Sequence, residues 1–192
     1  TIRLAPGTYN WTSTLILQTD ADVTFAGTVG KGGELLTTLD GGGVRQIFQT
    51  VATNMTFRDL RFQNARAGGD GGAIITGGMR LIANCEFDSN VSSLGGGAIC
   101  LTGPQNTLLE DCVFTNNSAQ FAGAVFHPQN SNTNPLSPTL RRCEFYDNTA
   151  SGTGGAMASG GSSPTYDSCT FVGNVMQMTP PSGWNWSGEI GR

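Results

Sequence analysis

Five short segments of this chain repeat one another at nearly constant spacing, and that repeat limits the available folds more than any other feature. Leu60-Arg61-Phe62, Cys85-Glu86-Phe87, Cys112-Val113-Phe114, Cys143-Glu144-Phe145 and Cys169-Thr170-Phe171 begin 25, 27, 31 and 26 residues apart. A period in this range marks a unit that cannot bury its apolar face alone and stacks on its neighbours. An apolar residue precedes each triplet by three positions, at Phe57, Ile82, Leu109, Leu140 and Tyr166. An Asn follows each Phe, at Asn64, Asn90, Asn117, Asn148 and Asn174, the first of them one residue early. A glycine-rich turn then leads into Ala73-Ile74, Ala98-Ile99, Ala124-Val125 and Ala156-Met157, and the last repeat lacks it.

Within Cys85-Glu86-Phe87-Asp88 the two-residue pleat puts Cys and Phe on one face and the two acids on the other. No segment holds an apolar 3.6-residue period over the length a helix needs. The pattern therefore predicts an all-β fold, a right-handed single-stranded parallel β-helix of about seven coils spaced about 4.8 Å apart. Like residues then stack. Phe62, Phe87, Phe114, Phe145 and Phe171 form the main core column, and Asn64, Asn90, Asn117, Asn148 and Asn174 form an internal amide ladder. The glycines before each Ala are expected to supply positive φ at the turn. The first 50 residues fit more loosely, with strands expected near Ile2 and Leu4, Leu15 to Leu17, Val23 to Phe25, Leu35 to Leu39, and Ile47-Phe48.

The 28 glycines run from end to end rather than gathering in a linker, so residues 1–192 read as one β-helix domain, expected to be a piece of a longer chain. Charged residues are only 12%, the net charge is −4, and the nine arginines are scattered, which excludes the clustered cations that nucleic acid or an anionic membrane requires. No apolar run is long enough to span a bilayer as a helix. Asn-x-Ser/Thr sequons at Asn10, Asn54, Asn90, Asn116 and Asn185 outnumber chance and favour secretion. Asn90 is set apart from the glycosylation candidates because the repeat points it inward.

The motifs Gly72-Ala73-Ile74, Gly97-Ala98-Ile99 and Gly123-Ala124-Val125, with Phe87-Asp88-Ser89-Asn90, Phe114-Thr115-Asn116-Asn117 and Phe145-Tyr146-Asp147-Asn148, resemble the GGA(I/L/V) and FxxN repeats of chlamydial polymorphic outer-membrane proteins. Ile2-Arg3-Leu4-Ala5-Pro6-Gly7-Thr8-Tyr9 and Leu39-Asp40-Gly41-Gly42 resemble early coils of pectate-lyase-like β-helices. The resemblance implies a secreted or surface-exposed passenger, often adhesive. The chain departs from the pattern at Pro180-Pro181-Ser182-Gly183-Trp184-Asn185-Trp186, where another Gly-Gly-Ala turn would fall.

Several residues carry candidate chemistry. Asp59, Glu110, Asp111 and Asp167 gather near Arg58, Arg141 and Arg142, and Asp59 and Asp111 lie two coils apart, about 9–10 Å, as an inverting glycosidase pair would. The competing reading is exposed ion pairing between coils. Cys85, Cys112, Cys143 and Cys169 share a column with Leu60, which reads as buried free thiols, with a disulfide from Cys100 to Cys85 or Cys112 as the alternative. With no Cys-x-x-Cys or paired His, no metal or other cofactor is expected. Residues 127–138 should protrude as a polar loop carrying His127. Trp11, Trp184 and Trp186 could stack on sugar, pack at the core or its ends, or sit at a junction between copies. Three functions follow: a non-catalytic extracellular structural or adhesive module whose partners are other extracellular protein chains or carbohydrate, a polysaccharide lyase or glycoside hydrolase, and a filament-forming surface protein.

Overall fold

The computed structural model describes residues 1–19, 21–50, 54–103, 106–128, 137–160 and 163–177. One turn of the chain visits four sheets. Met79–Ala83 lies in sheet A, Glu86–Asp88 in sheet B, Val91–Ser92 in sheet C and Ile99–Leu101 in sheet D, after which Leu108–Glu110 returns to sheet A beside Met79–Ala83. Among the described residues sheets A and B have 7 strands each, sheet C 5 and sheet D 6, and every strand pair within them is parallel. This is the all-β parallel β-helix that the repeat predicts. The strands are short because each ends at a corner where the backbone must turn sharply.

Those corners explain much of the residue choice. Between sheets A and B the left-handed conformation is held by Asp59, Asn84, Asp111, Arg142 and Ser168, and between sheets B and C by Asn64, Ser89, Asn116, Asp147 and Gly173. Asp and Asn visit that region more cheaply than other side chains because their short polar groups bond locally, while Ser89, Ser168 and Arg142 hold it without that preference. Between sheets C and D it falls to Gly71, Gly96 and Gly154, and in one coil to Ala122, at φ 57°. The glycines before each Ala thus divide the work: the first of each pair carries the positive φ, except in the Ala124 coil where Ala122 does, and the one next to Ala is required for space. A Cβ on Gly97 would lie 2.1 Å from the Gly123 carbonyl oxygen of the next coil.

Inside, the rings of Phe62, Phe87, Phe114, Phe145 and Phe171 stack nearly face to face with centroids 4.7–4.9 Å apart. Tyr9 and Leu39 continue that column toward the N-terminus. The first four rings are fully buried, whereas Phe171, on the last described coil, is 43% exposed. Phe25, Phe57, Ile82, Leu109 and Leu140 align along sheet A, and the early strands lie near the looser reading, with Thr37–Asp40 and Phe48–Thr50 starting later than expected and Gly7–Asn10 as an additional strand of sheet B.

The amide ladder runs through Asn90, Asn117, Asn148 and Asn174. Asn117 Nδ2 donates to the Phe87 carbonyl at 3.0 Å and to Asn148 Oδ1 at 2.9 Å, while its Oδ1 accepts from the backbone N–H and the Nδ2 of Asn90, both at 3.0 Å. Both hydrogens and both lone pairs are used, so a fully buried primary amide sits without an unsatisfied group. Asn64 does not belong to this ladder. It is exposed, turns the corner at φ 50° and donates to Asp40, while the backbone N–H of Ala65 meets Asn90 Oδ1 at 3.0 Å. Spacing decides the position: Ala65, not Asn64, stands three residues after its Phe.

Replacing Phe114 with Ala should cost about 3–5 kcal/mol, since the stacked rings on either side cannot close the gap. Asn117→Ala, which strands several buried groups at about 1–3 kcal/mol each, should cost at least about 3 kcal/mol, against about 1 kcal/mol for Asn64→Ala. Guanidinium unfolding of the three variants checks this, and equal losses for the two Asn variants would remove the ladder.

Candidate functional site

The acidic cluster is built on the corner between sheets A and B, so its aspartates serve first as turn residues. Asp59 Oδ2 lies 2.6 Å from Arg58 Nη1, and its Oδ1 accepts from Asn84 Nδ2 at 2.9 Å. Asn84 thus occupies the coil between Asp59 and Asp111. Arg142 grips Asp111 with two parallel bonds of 2.7 and 2.9 Å and reaches Glu110 Oε1 at 2.8 Å. Arg141 bridges Glu110 and Asp167 at 3.4 Å each. The Arg142 guanidinium hydrogen-bonded to Asp111 lowers its carboxyl pKa. A glycosidase acid needs the opposite, a raised pKa and an open face toward substrate. The arrangement matches the competing sequence reading, ion pairing between coils.

The remaining candidates fall elsewhere. Cys85, Cys112, Cys143 and Cys169 line the interior column, each Sγ lying beside backbone carbonyls such as Ile82 O for Cys112, and all five cysteines are free. Burial pushes the Cys85 thiol up to about 12, leaving it protonated and unreactive at neutral pH. The alternative of Cys100 crossing the interior is corrected. Alternation along Ile99–Leu101 puts Ile99 and Leu101 in the core and turns Cys100 out of the coil, in register with Ile75 and Phe126 and still covered. Among the described residues no three His, Cys, Asp or Glu side chains converge as metal ligands would.

His127 is likewise not part of a protruding loop. It ends the strand Val125–His127, pairs with Ser159 and is 7% exposed, and burial lowers its pKa. Pro138, at the other end of the expected loop, is buried, and 129–136 lie outside the described residues. Trp11 packs on Phe48 with ring centroids 5.6 Å apart, while Trp184 and Trp186 lie outside the described residues.

The sequons separate by geometry. Asn10 and Asn116 are exposed, Asn54 is half-buried and Asn185 lies outside the described residues. Asn90 is fully buried, with its Nδ2 donating to the Phe62 carbonyl and to Asn117.

One arrangement escaped the sequence reading. Arg45 and Arg66 stand side by side on neighbouring coils, the Arg66 N–H donating to the Arg45 carbonyl at 2.9 Å. With Thr14, Gln49, Asp70 and Ile75 they line an open groove of about 390 Å³ across the outer side of sheets C and D. Along the sequence these arginines look scattered. Folding the chain at its coil period brings them together, and that was the available signal.

The comparisons with known proteins add one match. A family model described as the right-handed β-helix region covers residues 42–183. Neither the comparison with curated proteins nor that with solved structures found a match.

Two outcomes follow. Because the folded pKa of Asp111 is depressed, its stabilising effect is present above the unfolded carboxyl value and lost as pH falls through the folded one. Asp111→Asn should therefore lower the unfolding midpoint at neutral pH and leave it unchanged near pH 2 (about two units below the usual carboxyl range). In material secreted and folded by a glycosylating eukaryotic host, peptide mapping should find any sugar at sites such as Asn10 or Asn116 and none on Asn90, because a glycan on that Nδ2 would replace a buried donor.

Proposed function

The chain belongs to the right-handed β-helix family, and from that premise we propose that it is an extracellular structural or adhesive module without catalytic activity. The inward side chains form the columns of Phe, Cys, Asn and aliphatic residues that hold the coils together. Anything the protein does to a partner is then done by its outer faces and corners. The observation that carries the reading is the state of the acidic cluster: Glu110, Asp111 and Asp167 are joined to Arg141 and Arg142, and Asp59 to Arg58 and Asn84. Acids held this way act as struts between coils. A stack of coils is also stiff along its axis, which suits a protein that displays a surface at a distance from its attachment point. The repeats like those of surface passengers, the sequons and the acidic, lysine-poor composition support an extracellular setting, and the partners would be carbohydrate or other extracellular protein chains.

The test is turnover. Incubated with neutral and acidic polysaccharides, the purified chain should release no reducing ends and no unsaturated products, and Asp59→Asn and Asp111→Asn should match the wild type. Cleavage that disappears in either variant would overturn the reading in favour of a hydrolase or lyase.

A further inference from the structure

We propose that the cysteine column carries a redox site, in which a small-molecule disulfide of the glutathione class oxidises Cys143 and Cys169 to a disulfide that staples neighbouring coils. The proposal rests on the reading of the protein as extracellular, because an oxidising setting supplies that reagent. It names the modification such a setting would leave on the scaffold.

Cys85, Cys112, Cys143 and Cys169 each follow the left-handed residue at the corner between sheets A and B, and their coils are in register. The N–H groups of Val113, Glu144 and Thr170 donate to the carbonyls of Cys85, Cys112 and Cys143 at 2.9–3.0 Å. One coil spacing, about 4.8 Å, therefore separates Cys143 from Cys169, inside the range of about 4.4–6.8 Å between Cα atoms that a disulfide spans. The side chains also share one direction. The Sγ atoms of Cys112, Cys143 and Cys169 lie 3.4–3.5 Å from carbonyls of the preceding coil, at Ile82, Leu109 and Leu140. The sulfurs thus form a row along the axis, where one can attack a disulfide in line with the bond it breaks.

Access singles out one pair in that row. Cys85, Cys112 and Cys143 are buried, whereas Cys169 is half-buried and stands two residues before Phe171, itself 43% exposed. A reagent in solution reaches Cys169 alone among the four. Its neighbour along the row is Cys143, whose pKa is lowered by a hydrogen bond from the Cys112 thiol, while burial raises those of Cys85, Cys112 and Cys169. Cys143 is therefore the column's best source of thiolate. In the first step the Cys169 thiolate attacks one sulfur of the reagent, forming a mixed disulfide and expelling a thiolate that takes up the Cys169 proton. The Cys143 thiolate then attacks the Cys169 sulfur, forms the bond between the two coils and expels the other half of the reagent, which takes up the Cys143 proton. Two protein thiols give up two electrons and two protons, and one reagent disulfide becomes two thiols.

The experiment treats the folded chain with oxidised glutathione, quenches with acid and maps peptides without reduction. The wild type should yield a peptide linking Cys143 to Cys169 and keep its other cysteines free. Its unfolding midpoint should rise by several degrees and return on reduction. Cys143→Ala should stop at the mixed disulfide on Cys169, and Cys169→Ala should take up no glutathione. Because the first step needs the Cys169 thiolate and the folded pKa of that thiol is raised, the rate should climb with pH through neutrality. The map of the wild type decides the matter even where a variant fails to fold. The proposal is overturned if all five thiols stay reduced, if glutathione remains on Cys169 of the wild type, or if the bond joins a different pair. The reaction is run on purified protein, so its failure leaves the extracellular reading standing, whereas finding the protein in a reducing compartment would sink that reading and leave the chemistry standing.

Discussion

A buried primary amide must find four partners or destabilise the fold, and that requirement ties the coils of this protein to one another. Asn117 meets it only when the Asn90 coil on one side and the Asn148 coil on the other lie in register. The bonds are reciprocal, so each Asn satisfies the one before it and is satisfied by the one after. A slip of one residue would place the corner residue, Ser89 or Asn116, at the ladder position and leave buried carbonyls unpaired. The phenylalanine column beside the ladder supplies more of the burial but tolerates sliding better, since one ring resembles the next. Apolar stacking thus drives the collapse, and the amides set the register.

Length can vary only where this register is not at stake. The 31-residue interval from Cys112 to Cys143 carries its extra residues between the strands Val125–His127 and Thr139–Arg141, and pairing on both sides is undisturbed. The corners impose a second restriction, a left-handed backbone at fixed places in each coil. That restriction accounts for Asp59 and Asp111 without reference to chemistry. Their identities are those a left-handed corner favours, and their charges are then neutralised by arginines on the same or the next coil. An acidic cluster can therefore arise from turn geometry alone, and its guanidinium partners reveal which kind it is.

Much of the fold was legible because the repeat makes each coil a test of the others. The columns of Phe, of Cys with Leu60, and of the residues before them all appear in the described register. The misplacements share a cause, the use of residue type where geometry should rule. By identity Asn64 belongs in the ladder, but Ala65 has the right spacing. By type Cys100 reads as a disulfide partner, but it alternates with Ile99 and so faces away. By its polar neighbours His127 reads as a loop residue, but it lies two residues beyond inward-facing Val125. The arginine groove is hidden for a different reason. Its two cations are 21 residues apart, and only the coil path that brings Arg66 against Arg45 makes them neighbours. Surface constellations of this kind depend on the lengths of the corners, which the repeat constrains less tightly than it does the core.

Hydrogen exchange of the side-chain amides, followed by nuclear magnetic resonance, tests the central claim most directly. The Nδ2 protons of Asn90, Asn117 and Asn148 should exchange only through unfolding of the stack, with protection like that of the backbone amides of Phe87 and Phe114, while those of Asn64 exchange freely. Rapid exchange at Asn117, indistinguishable from Asn64, would contradict a dry, fully bonded ladder and with it the account of how the coils are held in register.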